Sequence, residues 1–170
     1  MRGARSRIVL TLGAAALAAS SLAGCSATAP PPDELAHDLF DLANEQRVEN
    51  GLDPVQWSDC LAEKAATRAE PFVDDPDLEH DTLVSTCHEG AKAGENLSRT
   101  DLPAADVVDL WMGSAGHRAN ILDAEFTVGA VACVEADPLP DGGDSGMRAC
   151  SQLFEGPAPE ASPTPSPSAS

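Results

Sequence analysis

Four histidines, His37, His80, His88 and His117, and five cysteines are the side chains of this 170-residue sequence best suited to ligating a metal, moving a proton or forming a covalent bond. Imidazole titrates near neutral pH and is the commonest protein metal ligand. His37 stands among acids in a helical stretch, where a solvated or capping role is expected. His80 follows Leu78-Glu79 in a segment broken by Pro76, and His88 adjoins Cys87, so each taken singly reads as a surface residue. His117 differs, because Ser114-Ala115-Gly116-His117-Arg118-Ala119-Asn120 supplies small residues and a glycine that permit a tight backbone. Among the acids, Glu95 lies in Ala93-Gly94-Glu95-Asn96-Leu97, between a glycine and a leucine of buried character, a specific position and not a solvated face. The His-Glu-x-x-His helix of metalloproteases is absent, as is a Gly-x-Ser-x-Gly nucleophile elbow.

Cys60, Cys87, Cys133 and Cys150 are an even set once Cys25 is set aside, with gaps of 27, 46 and 17 residues. A zinc quartet favours close pairs such as C-x-x-C, so two disulfides are expected, and oxidised thiols are not nucleophiles. Three pairings are open. Cys60 with Cys87 and Cys133 with Cys150 is preferred, because the last two sit in runs that read as successive strands, and each bridge contributes roughly 2–4 kcal/mol.

These residues need a frame, and the composition bounds it. The chain has 10 basic and 28 acidic residues and a formal charge of −18. Arg2, Arg5 and Arg7 all precede position 8, so the remaining basic residues are scattered among all the acids. Phosphate-tracking proteins need clustered Lys and Arg, and nucleic-acid binding is excluded. Trp57, Trp111 and four Phe with no Tyr are too few for an array of stacking platforms.

The start is basic, residues 8–22 are apolar, and Leu22-Ala23-Gly24-Cys25 follows. An apolar run this short falls below the roughly 20 residues of a spanning helix, so it reads as an export signal. Leu22-Ala23-Gly24-Cys25 resembles the bacterial lipobox, which implies a diacylglyceryl group and acyl chains such as palmitate on Cys25. Two or more chains make such anchoring stable. The expected organisation is a lipoprotein signal peptide over 1–24, a lipidated Cys25 and Pro-rich tether over 25–32, one domain over 33–155, and a disordered Pro/Ser-rich tail over 156–170.

Within the domain, Asp33 is expected to cap a helix whose stripe is Leu35, Leu39, Leu42 and Ala43, ended by Gly51. A second helix is expected from Ser58, with Leu61, Ala65, Ala66, Ala69 and Phe72 on one face. A third starts near Pro103 with Ala104, Val107, Val108 and Trp111, and Gly113 weakens its end. Residues 126–135 and 147–154 read as strands joined by a loop containing Pro138, Pro140, Gly142 and Gly143. Helices flanking a small antiparallel sheet follow.

The order of motifs resembles the CAP superfamily, also called SCP-like, in its bacterial secreted branch. The residues that carry the resemblance are Asn44-Glu45-Gln46-Arg47, Gly51-Leu52, Pro54-Val55, Trp57, Glu79-His80, Gly94-Glu95-Asn96-Leu97, Trp111-Met112, Gly116-His117-Arg118-Ala119-Asn120-Ile121-Leu122, Phe126-Thr127 and Gly129. The resemblance implies an α+β fold, a three-layer α-β-α sandwich with a small, mainly antiparallel sheet, and additional short strands near Glu95. It also implies that His80, Glu95 and His117 face a central cleft. The family's second acid, three residues after its Trp, is replaced by Ser114, and Ala115 stands where Pro is usual.

Two neutral imidazoles and one carboxylate suit zinc or another divalent cation, held weakly with a position left for water, and such a water can be hydrolytic. The same three residues can instead hydrogen-bond the cleft together. Arg47 and Asn44 read as structural. The resemblance implies a monomeric, lipid-anchored binding module on the outer face of the bacterial cytoplasmic membrane, for a small apolar ligand or an envelope component. The alternative is a metal-assisted hydrolase acting on peptide or cell-envelope material. The anchor is the only expected membrane contact.

Overall fold

The computed structural model describes residues 30–75, 77–80, 87–138 and 146–157. The expected signal peptide, Cys25, most of the tether, and all but the first residues of the tail lie outside the described residues. Among the described residues, no helix is long and apolar enough to cross a membrane.

The first helix, α1 (Pro32–Glu49), begins one residue before Asp33. Pro31 occupies the capping position, and Asp33 lies in the first turn without making a capping hydrogen bond, so the expected Asp33 cap is corrected. Proline is well suited to a first turn, where its missing N–H would have had no partner, and Asp33 and Glu34 still face the positive helix end. Leu35, Leu39 and Ala43 are buried along the expected stripe, while Leu42 packs from its margin. Gly51 ends the helix at φ +77°.

Strand β1 (Gln56–Trp57) leads into α2 (Asp59–Ala69), where Ser58 Oγ accepts the Leu61 N–H as expected of a cap. A 3₁₀ turn at Glu70–Phe72 follows. Next come β2 (Ala93–Thr100), α3 (Ala104–Gly113), α4 (Ala115–Ile121), β3 (Val128–Glu135) and β4 (Arg148–Glu155). The expected strand at 126–135 starts two residues later. The strand implied near Glu95 is a full eight residues long. The tight backbone expected around His117 is a helix, parted from α3 by Ser114, whose ψ of 127° is extended.

The sheet runs β1-β3-β4-β2, with β1 parallel to β3 and the other pairs antiparallel. Alternation along the strands separates two faces. Val131, Cys133, Cys150 and Phe154 pack with α1, α3 and Phe126, while Ala130 and Leu153 pack with Leu61 and Ala65 of α2. The three-layer α-β-α arrangement expected from the resemblance is therefore present, around a small, mainly antiparallel sheet. Both preferred disulfides are formed: Cys60 to Cys87, and Cys133 to Cys150 across directly paired strand positions.

Arg47 joins the layers. It is buried, and its guanidinium donates to the carbonyls of Asp53, Ile121, Asp123 and Phe126 at 2.7–3.1 Å. Asn44 exchanges two hydrogen bonds with the Val55 backbone. The structural reading of this pair agrees with those contacts.

Candidate functional site

Strand β2 carries buried polar side chains on both of its faces, Glu95 on one and Asn96 on the other. Glu95 points toward α2, where Arg68 donates from Nε to Oε1 at 2.7 Å and from Nη2 to Oε2 at 2.8 Å. His80 Nδ1 lies 2.9 Å from Oε2, and Ser151 Oγ reaches Oε1 at 3.4 Å. The carboxylate is only 3% exposed, whereas the His80 side chain is 50% exposed. Burial disfavours the charged form of Glu95, but the hydrogen bonds and charges of Arg68 and His80 outweigh it and hold the carboxyl below its ordinary range. An ionised carboxylate accepts only, so His80 Nδ1 is the donor of this hydrogen bond.

Asn96 points to the opposite face. Its Nδ2 donates to Gln152 Oε1 at 2.9 Å and to the His117 carbonyl at 3.3 Å. Asn120, on α4, donates to the Glu95 carbonyl and to Asn96 Oδ1. These bonds tie the helix that carries His117 to the strand that carries Glu95. Gly94 makes the approach close: a Cβ there would stand 2.8 Å from the Phe126 ring and 3.0 Å from Asn120 Oδ1.

The edge strand is thus flanked by two imidazoles, His80 held through Glu95 and His117 carried on α4. Their ring centroids are 6.3 Å apart and their planes are inclined at 61°. Partial burial, and then the charge of His80, push the His117 pKa below its ordinary value, so the ring is neutral at pH 7. His117 also lines a groove of about 260 Å³ with Leu97, Val107, Leu110, Trp111 and Ser114. Ser114 therefore belongs to the groove, in the position where the family would bring a second acid.

The other two histidines lie elsewhere. His37 packs against the Trp57 ring at 4.7 Å, beside β1 at the far edge of the sheet. His88 is exposed, as expected, but its Nδ1 lies 3.0 Å from Glu155, a buried carboxylate that also accepts the N–H groups of Cys87 and His88.

Two imidazoles ligating one zinc at about 2.0–2.1 Å place their centroids roughly 5–6 Å apart, so the His80–His117 pair has nearly the separation a single ion requires. Glu95 does not fit as a direct ligand, because Arg68 and His80 occupy both of its oxygens. It fits the role of an outer carboxylate that orients a ligating histidine. Among the described residues, no group of three or more His, Cys, Asp or Glu is arranged to hold a metal ion.

Sequence reasoning missed Arg68 altogether. Its signal was present: Arg68 follows Leu61 and Ala65 at seven and three residues, so a cation sits on the inward stripe of α2.

Residues 40–143 match the family model described as the cysteine-rich secretory protein family, CAP. Bacillus subtilis "Uncharacterized protein YkwD" is 30% identical over 123 residues, which is 66% of this chain and 48% of that protein. The chain thus spans about half the length of this relative. An extracellular SCP-domain protein from Bacillus anthracis superposes with a TM-score of 0.56 at 22% identity, over 74% of this chain and 41% of that one. An outer surface protein of Borrelia burgdorferi gives 0.57 at 16% identity, over 71% and 92%. At such identities these structures establish likeness of fold. With the family model spanning well over half of the sequence, the chain belongs to the CAP, or cysteine-rich secretory protein, family.

Proposed function

We propose that this protein is an exported binding module, anchored by lipid on Cys25 to the outer face of the bacterial cytoplasmic membrane and acting as a monomer. It presents the cleft of His80, Glu95 and His117 to a small apolar ligand or an envelope component. The observation that carries the reading is the place of His117, whose ring lies 6.3 Å from that of His80 in the polar His80–Glu95–Arg68 assembly and which also lines the groove with Val107 and Trp111. Ligand sites combine apolar walls with a few oriented polar groups in this way. Two disulfides and the basic, apolar start that resembles a lipobox support export and anchoring.

A divalent cation such as zinc would be held weakly by the imidazoles of His80 and His117, with Glu95 as the outer carboxylate that orients His80. When bound, the ion supplies a Lewis acid at the polar end of the groove. The residues themselves orient His80, keep His117 neutral and exclude water along the Trp111 wall.

The alternative is metal-assisted hydrolysis of peptide or cell-envelope material, and it has one specific support. A carboxylate on His80 Nδ1 leaves Nε2 as an accepting base. Ser114 in place of a second acid weighs against it.

Native purification of the exported protein, followed by mass spectrometry of bound metal and small molecules and hydrolysis assays with and without chelator, tests these readings. A retained apolar molecule or ion that His80→Ala and His117→Ala both release supports the module. Turnover abolished by chelator favours the hydrolase, and retention unaffected by either substitution overturns the site. An intact mass without acyl chains on Cys25 overturns the anchor.

A further inference from the structure

The face of β2 turned toward α2 presents Glu95, Leu97 and Arg99 in succession, because alternate residues of a strand share a side. One stretch of chain meets all three. Arg68 of α2 grips Glu95, and Phe72 in the 3₁₀ turn packs with Leu97. Arg99 reaches the end of that turn, where Nε donates to the Phe72 carbonyl at 2.8 Å and Nη2 to the Val73 carbonyl at 3.1 Å. The chain then returns, and His80 lies again on Glu95. Residues 68–80 thus run out along β2 and back, pinned at Glu95, at Arg99 and once more at Glu95.

Arg99 is suited to hold such a turn. Carbonyls at a helix end have no intrahelical partner and carry the negative end of its dipole, and a guanidinium offers them a permanent charge with donors in a rigid fork. A third segment closes the arrangement. Arg99 Nη2 also donates to the Asp137 carbonyl at 2.6 Å, and the Asp137 N–H donates to the Val73 carbonyl at 2.7 Å. The start of the returning stretch is therefore locked to the chain that follows β3. Nη1 is buried with no hydrogen-bond partner, so the group is turned inward and away from solvent.

The lock bears on His80 because the rest of the stretch has little else to hold it. Asp77, Leu78, Glu79 and His80 are exposed and lie in no helix or strand, so burial does not place them. Among the described residues, the hydrogen bond that ties them to the sheet is that of His80 to Glu95. The rise from Glu95 to Arg99 is about 13 Å, while residues 74–80 extend to roughly 23 Å, so chain length alone does not bring His80 to Glu95. Freeing the turn adds residues 70–73 to this loop and raises the entropy cost of closing it.

We propose that Arg99 is the positioning residue of the His80 site, setting the place of that imidazole from the far end of the turn. The inference rests on the ligand site proposed above and adds a residue that acts on it without touching a ligand.

The test compares the wild type with Arg99→Met, which keeps the stem and loses the donors, and with Val134→Ala, which loosens the cluster of Phe72, Leu97 and Ala149 without touching the carbonyls of the turn. Nitrogen NMR of the His80 ring at pH 8, without metal, reads the fraction released from Glu95. In Arg99→Met that fraction is expected to rise about threefold or more, the effect of roughly doubling the loop, and zinc affinity by calorimetry to fall by a similar factor. Val134→Ala, although less stable, should keep both values. Arg99→Lys, whose short ammonium cannot span all three carbonyls, should fall between wild type and Arg99→Met, and it decides the matter where Arg99→Met does not fold. A wild-type His80 signal in the folded Arg99 variant, or the same change in Val134→Ala at equal loss of stability, overturns the proposal. If the wild type takes up no zinc while the His80 signal still follows Arg99, the metal reading falls and the positioning role stands.

Discussion

Arg68 and Glu95 face each other across the junction of α2 and β2, joined by two parallel hydrogen bonds of 2.7 and 2.8 Å. Because the carboxylate is almost fully buried, this paired geometry keeps it ionised, and its charge in turn orients His80. Chemistry at the site thus begins one residue further back than the His–Glu–His set.

Arg68→Ala is expected to leave a buried carboxylate with only His80 and Ser151, and to destabilise the fold by about 2–4 kcal/mol. Urea denaturation measures the loss. Nitrogen NMR of the His80 ring should show mixed tautomers in place of one, a change that loss of packing alone would not cause. An unaltered His80 signature would refute the positioning role.

Acid should weaken the fold in two stages. The native His117 pKa lies below its ordinary 6.5, so between those values the unfolded chain binds a proton that the native chain does not, and stability falls as pH drops through 6.5. Native Glu95 likewise lies below its ordinary 4.5, and its contribution is complete above that value and lost as pH falls through the native one. Thermal unfolding across this range should lose the first step in His117→Ala and the second in Glu95→Gln.

Gly94→Ala should displace the strand edge, since the added methyl meets the ring of Phe126 and the side chain of Asn120. An overpacking cost of about 1–3 kcal/mol is expected, together with a changed His80–His117 separation that weakens zinc binding. Calorimetric titration of zinc into the wild type and the variant checks both effects, and equal affinities would show that the close approach does not set the site.

The two disulfides should differ in what they hold. Replacing Cys133 and Cys150 by Ala removes a link within the buried core, while replacing Cys60 and Cys87 frees the start of α2 from the segment that Glu155 also grips. Each loss is expected to cost roughly 2–4 kcal/mol in denaturation. Only the second pair should alter ligand retention at His80, because that bridge closes the stretch of chain on which His80 lies.

Much of the frame was legible before any coordinates. The 3.6-residue stripes of α1, α2 and α3, the Ser58 cap and the Gly51 stop are local features, written in side chains a few positions apart, and the structure has them. The order of short motifs indicated the family and the sandwich. Strand β2 was invisible to periodicity, because its buried stretch contains Glu95 and Asn96, which interrupt any apolar alternation and are buried only because partners elsewhere in the chain satisfy them. α4 was concealed because Ser114, Ala115 and Gly116 indicated only a tight backbone.

What the sequence determined by itself was the set of groups available and the helices able to present them. Only the tertiary structure decided their roles: Glu95 is held by Arg68 from a different helix, His117 is tied to the strand through Asn96 and Asn120, and the edge carbonyl of Leu97 accepts from Trp111. These contacts join residues 14 to 27 positions apart in the chain. A local pattern records which face a side chain occupies, but hydrogen bonds form wherever packing brings a donor to an acceptor. The partner of a buried charge is therefore chosen by the assembled layers.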